Sequence, residues 1–154
     1  MNKTNAMRIL DKEKIPYEVL DYTDKSLTNG EEIANFLNEN PLQVFKTLVT
    51  ISKSKNHYVF LINVNSELDL KKCALASNEK NIELIHQKEL LPLTGYIHGG
   101  CSPLGMKKEF KTFIDSSCLN YEYIFISGGK VGYQIKINPH DLIKIANISV
   151  CDLD

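Results

Sequence analysis

The chain is 154 residues long, 43% hydrophobic and 24% charged, with a formal net charge of −1. It is long enough to bury a sizeable core, and without global charge it has no field to draw it onto nucleic acid or membrane, so any polyanion must be gripped by a local patch. The absence of a signal-peptide pattern or a bilayer-length apolar run leads to the expectation of a single domain over 1–154 in the cytoplasm.

Taken in order, residues Thr4 to Lys14 carry helical periodicity in Ala6, Ile9 and Leu10, and Pro16 ends the pattern. Tyr17 to Tyr22 alternates like a half-buried strand. Thr28 and Glu31 have capping-box spacing for a helix with Ile33, Ala34, Phe36 and Leu37 inward, and Pro41 suits the first turn of another. Phe45 to Ile51 is a strand with Val44, Lys46, Leu48 and Thr50 on one face. His57 to Val64 returns antiparallel across Ser52–Asn56. Ser66 is the expected cap of a helix through Leu75, Asn81 to Ile85 a short strand, and Gln87 to Leu91 a helix stopped by Pro92. Phe110 to Asp115 and Tyr123 to Ser127 read as strands, with a helical turn at Leu119–Tyr121 between them. Gly128–Gly132 then links the second of these strands to a returning Tyr133–Ile137. Pro139 opens a last helix with Leu142, Ile143 and Ile145 inward. Hairpin-type strands interleaved with helices favour a mixed or antiparallel α+β fold over a doubly wound parallel sheet.

The residues between Thr94 and Gly105 hold four glycines and a proline. Such a loop either makes a backbone nest for an anion or is an ordinary surface turn. It and the glycine turn at 128–132 are expected to meet at one end of the sheet, opposite Lys46. A lysine on an apolar face costs free energy unless it is paired or faces a wet cleft, so Lys46 is a site candidate; the alternative is a strand-end lysine snorkelling to water.

The four cysteines, Cys73, Cys101, Cys118 and Cys151, make no metal-ligand spacing and are expected as free thiols. Cys101 in the glycine loop reads as a small turn residue before it reads as a nucleophile. His98 beside that loop is either an acid–base group or an exposed turn residue. Ser102 and Ser127 either bind a ligand or cap their own turns. Lys71, Lys107, Lys108 and Lys130 could contact phosphates or form a solvated face. No nucleophile elbow, zinc motif or phosphate loop is present, and no cofactor or metal is expected. The tools are a cleft lysine and backbone donors, which suit holding an ester or phosphate oxygen.

The segments Val44-Phe45-Lys46-Thr47-Leu48, Glu67 to Lys72, Thr94-Gly95-Tyr96, Gly99 to Lys108 and Ser127-Gly128-Gly129-Lys130, in that order, resemble the signature blocks of the YbaK/EbsC-type Cys-tRNA(Pro) deacylases. That family is related to the editing domain of bacterial prolyl-tRNA synthetases, and the likeness covers essentially the whole chain. It implies a compact, barrel-like, mostly antiparallel mixed sheet with surrounding helices. It also implies hydrolysis in trans of cysteine mischarged on tRNA(Pro), an error that a size-based pocket cannot reject strongly.

The family's lysine falls on Lys46, its G-x-x-x-P loop on Gly99 and Pro103, its serine-glycine-glycine turn on Ser127, Gly128 and Gly129, and its strand-end tyrosine on Tyr22. The resemblance further implies that the substrate's own thiol attacks the ester, the oxyanion being held by backbone N–H groups near Gly100 and Cys101. Lys46 would then anchor the terminal adenosine. Mischarged tRNA(Pro) is the implied partner, with prolyl-tRNA synthetase in a ternary complex. Asn29, Val131 and Gln134 depart from the family pattern, and they bear on the pocket and on the amino acid chosen. Removal of another small amino acid such as alanine, or a non-catalytic tRNA- or synthetase-binding module, are the competing readings.

Overall fold

Strand pairing, rather than any one helix, organises the molecule. The computed structural model describes residues 2–27 and 29–154. Helix α1 (Asn5–Lys12) buries Ala6, Met7 and Leu10 and is capped by Thr4, whose Oγ1 accepts from the Met7 N–H. It leads into β1 (Glu18–Asp21) and α2 (Gly30–Phe36), then β2 (Phe45–Ser52), β3 (His57–Asn63) and α3 (Leu70–Ser77). Next come β4 (Ile82–Leu84), α4 (Leu90–Thr94), β5 (Lys111–Asp115), β6 (Ile124–Ser127), β7 (Tyr133–Ile137), α5 (Pro139–Ile145) and β8 (Ser149–Cys151).

Two sheets result. One is antiparallel in the order β1-β7-β6; the other is mixed in the order β4-β2-β3-β5-β8, with β3–β5 and β5–β8 parallel. An isolated bridge between Val44 and Phe125 joins the end of β2 to β6. Both residues are buried with Ala34 in a small cluster that ties α2 to the two sheets. The main core lies on one face of the mixed sheet and takes Val59 and Leu61 from β3; Phe60 and Ile62, alternating with them, build a second core under Cys73 and Ala74 of α3. The mixed α+β class is that expected from the sequence.

Local differences from the sequence reading have local causes. Thr28 lies outside the described residues, and Asn29 caps α2 by accepting from Glu31 N–H at 2.8 Å. Phe36 is 46% exposed rather than inward. The cap of α3 is Asp69, which accepts from the N–H groups of Lys71 and Lys72, while Ser66 bonds Asp154 instead. Leu75 faces solvent. Pro92 sits inside the first turn of α4, where its missing N–H would have had no helical partner, and Gly95 at φ 86° ends the helix. Strand β8 is unforeseen: Ser149-Val150-Cys151 shows no alternation of its own and is held by parallel pairing to β5.

Candidate active site

A cleft of about 330 Å³ is lined by residues of both sheets and by the 95–105 loop. Its existence follows from strand pairing. β4 pairs only with Thr50–Ser52 of β2, so the Phe45–Leu48 edge facing away from β3 is left largely open. Side chains from both faces of β2, Phe45 and Thr47 on one and Lys46 and Leu48 on the other, therefore reach one cleft.

Lys46 on β2 stands opposite Ile62 of β3, on the apolar face expected. It is half-buried and makes no ion pair among the described residues. Burial pushes its ammonium below the usual lysine range, opposed by the charges of Glu67 and Glu31. Gly99 and Cys101 line the same cleft, and His98 lies exposed at its rim.

The loop is stiffened from within. Tyr96 donates its O–H to the Leu104 carbonyl, and the fully buried Ser102 accepts from Leu104 N–H at 3.1 Å. Ser102 thus caps its own turn, with Pro103 following half-buried behind it and outside the cleft lining. The Gly100 N–H is spent on the Ile97 carbonyl at 2.9 Å. The N–H groups of Gly99 and Cys101 have no acceptor among the described residues. The Cys101 thiol is 7% exposed, and burial pushes it up to about 12, so at neutral pH it is a thiol and no nucleophile.

The two glycine segments meet as expected. A β-carbon on Gly100 would stand 3.0 Å from the Val131 nitrogen and 3.2 Å from Lys130 backbone atoms. In the second turn Ser127 lines the cleft and accepts from Gly129 N–H at 3.3 Å; Gly128 is buried, its carbonyl accepting from the Thr4 hydroxyl at 2.6 Å. Tyr22 closes one wall, 5% exposed and tied by its N–H to the Gly132 carbonyl at 2.7 Å. Asn29 and Gln134, the departures noted from the sequence, both line the cleft.

Lys71, Lys107, Lys108 and Lys130 are exposed, unpaired among the described residues and outside the cleft lining. Lys130 rests its Nζ 5.6 Å from the Tyr133 ring centre. Among the described residues no group of His, Cys, Asp and Glu could hold a metal ion. Glu39 was missed by the sequence reading. It lies in a polar connector between Asn38 and Asn40 and has no local signal, yet, half-buried as a residue, it has both carboxylate oxygens buried beside Gln134.

An unpaired lysine and unpartnered backbone donors lining one cleft are chemically suited to hold an ester or phosphate oxygen. Residues 24–145 match the family model described as the aminoacyl-tRNA editing domain, and the chain belongs to that family. A protein of Enterococcus faecalis with the provisional name Cys-tRNA(Pro)/Cys-tRNA(Cys) deacylase EbsC is 41% identical over 146 residues, covering 94% of this chain and 89% of that one. The proline–tRNA ligase of Brachyspira hyodysenteriae is 25% identical over 75% of this chain, which spans 21% of the ligase. The fold is shared with a structure described provisionally as a trans-editing enzyme for prolyl-tRNA synthetase: TM-score 0.84, 23% identity, 100% of this chain and 99% of that one. A structure of a hypothetical protein superposes with a TM-score of 0.90 at 19% identity, over 97% of this chain and 99% of that one.

Proposed function

We propose that the protein is a trans-editing deacylase that hydrolyses cysteine from mischarged tRNA(Pro). The observation that carries this reading is the half-buried, unpaired Lys46 on the wall of a cleft that also presents the unpartnered N–H groups of Gly99 and Cys101. The relationship to the Enterococcus deacylase and the editing-domain match support the same chemistry.

In this reading the protein orients the ester and the substrate supplies the nucleophile. The cysteinyl thiol gives its proton to solvent, and its sulfur bonds to the ester carbonyl carbon. The resulting oxyanion is held by the Gly99 and Cys101 N–H groups. The carbon–oxygen bond to the ribose then breaks, and the departing oxygen takes a proton from water. Water opens the thiolactone to free cysteine. Lys46 anchors the terminal adenosine through its phosphate as a point charge, and Tyr22, Ser127, Gly128 and Gly129 shape the acyl pocket. Lys71, Lys107, Lys108 and Lys130 meet the tRNA backbone, and prolyl-tRNA synthetase is the partner that presents the substrate.

The test is single-turnover deacylation of Cys-tRNA(Pro). Lys46→Ala is expected to keep the fold and lose roughly ten- to a hundredfold in rate at subsaturating enzyme, the scale of losing one charge-assisted contact to the substrate phosphate. Deacylation at the wild-type rate would remove Lys46 from the mechanism. A seryl ester on the same tRNA should be far slower; equal rates would give the attack to water.

A further inference from the structure

Helices α2 and α3 end in the same way. Each closes on an Ala-x-x-x-Asn-Glu segment, Ala34 to Glu39 and Ala74 to Glu79, with the asparagine left-handed at φ 56° and φ 58°. In both, the glutamate N–H bonds the carbonyl of the alanine, Glu39 to Ala34 at 2.8 Å and Glu79 to Ala74 at 2.9 Å. This is the Schellman ending, whose final position commonly carries an apolar side chain packed back on the helix.

The two glutamates fare differently. Glu79 accepts from the Tyr58 hydroxyl at 2.6 Å, Asn56 Nδ2 at 3.1 Å and the Ser54 hydroxyl at 2.8 Å, and these partners hold its carboxyl below the usual range. Glu39 has both carboxylate oxygens buried and neither hydrogen-bonded among the described residues. Burial pushes it up to about 7, opposed by the Gln134 amide and by the charge of Lys136. Lys136 is itself turned toward Glu18, at 3.8 Å, and the Tyr123 ring. Tyr22, another cleft residue, feels the Glu39 charge.

Gln134 completes the picture. It lines the cleft, is 5% exposed, and its Oε1 is buried without a donor. Gln134 Oε1 at the cleft wall therefore lacks a donor, and behind it the Glu39 carboxylate has only the neighbouring Gln134 amide to turn to among the described residues. A buried acceptor left unpaired is costly, and more so when it is charged. Such a wall calls for a cationic group rich in N–H donors. The aminoacyl ester brings one, its α-ammonium.

We infer that Glu39 and Gln134 form the subsite for the α-ammonium group of the aminoacyl ester. Gln134 offers Oε1 as the acceptor; Glu39, behind it, orients the amide and supplies the counter-charge as a positioning residue. This rests on the deacylase reading above.

The experiment compares Cys-tRNA(Pro) with 3-mercaptopropionyl-tRNA(Pro), which keeps the thiol and lacks the ammonium. Each enzymic rate is divided by the spontaneous hydrolysis rate of the same ester. The wild type is expected to prefer the cysteinyl ester by roughly ten- to a hundredfold, the range for a hydrogen bond to a charged group. Glu39→Gln, an isosteric change whose folding is checked by its melting curve, is expected to shrink that ratio. Equal normalised rates for wild type, or a Glu39→Gln variant that slows both esters alike, overturn the inference while leaving the deacylase reading standing. Hydrolysis of neither ester above the spontaneous rate overturns the deacylase reading, and the inference with it.

Discussion

Gly100 packs against the backbone of Val131: a β-carbon at position 100 would lie 3.0 Å from the Val131 nitrogen, tighter than most β-carbon contacts, so one segment would have to give by a few tenths of an ångström. The two glycine segments are thereby registered against each other, and the Cys101 N–H is positioned by that contact. Gly100→Ala must push the loop off the Lys130–Val131 turn. The expected outcome is a folded protein with a melting temperature lowered by roughly 2–6 °C, the scale of a 1–2 kcal/mol overpacking cost in a domain of this size. Deacylation should fall by at least about tenfold through misplacement of the oxyanion donors. Thermal melts and single-turnover assays on the same preparation check both halves.

Glu39 makes a separate prediction about stability and pH. Its folded-state value of about 7 lies above the ordinary 4.5. Between those values the folded protein retains a proton that the unfolded chain releases, so the contribution is full below the lower value and is lost as pH rises toward the upper one. Other groups titrate too, and the comparison with Glu39→Gln isolates this one. On going from about pH 5 to about pH 8, wild type should lose roughly 2–6 °C more in melting temperature than the variant. A parallel pH profile for the two proteins would show that Glu39 titrates normally.

Cys101 should be chemically quiet. With its thiol 7% exposed and held protonated by burial, it is expected to resist iodoacetamide at neutral pH in the native protein, while Cys151, only partly buried, reacts first. Mass spectrometry of briefly alkylated native protein reads the order. Rapid modification at Cys101 ahead of Cys151 would restore the nucleophile reading that its position in the glycine loop invites.

The strands β2 and β3 were legible because alternation in Phe45–Ile51 and the apolar run from His57 are properties of neighbouring residues. Lys46 was legible for the same reason: a lysine among Val44, Leu48 and Thr50 is out of place on its own strand face. The glycine segments announced a stiff loop and a tight turn. Elements whose partners lie elsewhere were less visible. Asp69 took the cap of α3 from Ser66 because the chain between them runs back along the C-terminus, the Asp69 N–H bonding the Leu153 carbonyl at 2.9 Å.

Local pattern was therefore enough for the α+β class, most element positions, the lysine and the glycine loops, since periodicity and turn chemistry act within a few residues of backbone. Tertiary structure alone decided that β4 leaves the edge of β2 open, that Gly100 spends its N–H on Ile97 while Cys101 keeps its own, and that Glu39 is stranded without a donor beside Gln134. Glu39 and Glu79 end the same local motif, yet one is satisfied by Tyr58, Asn56 and Ser54 and the other is not. Desolvation and hydrogen-bond satisfaction depend on which distant segment packs alongside, and nothing in a residue's own neighbours along the chain specifies that.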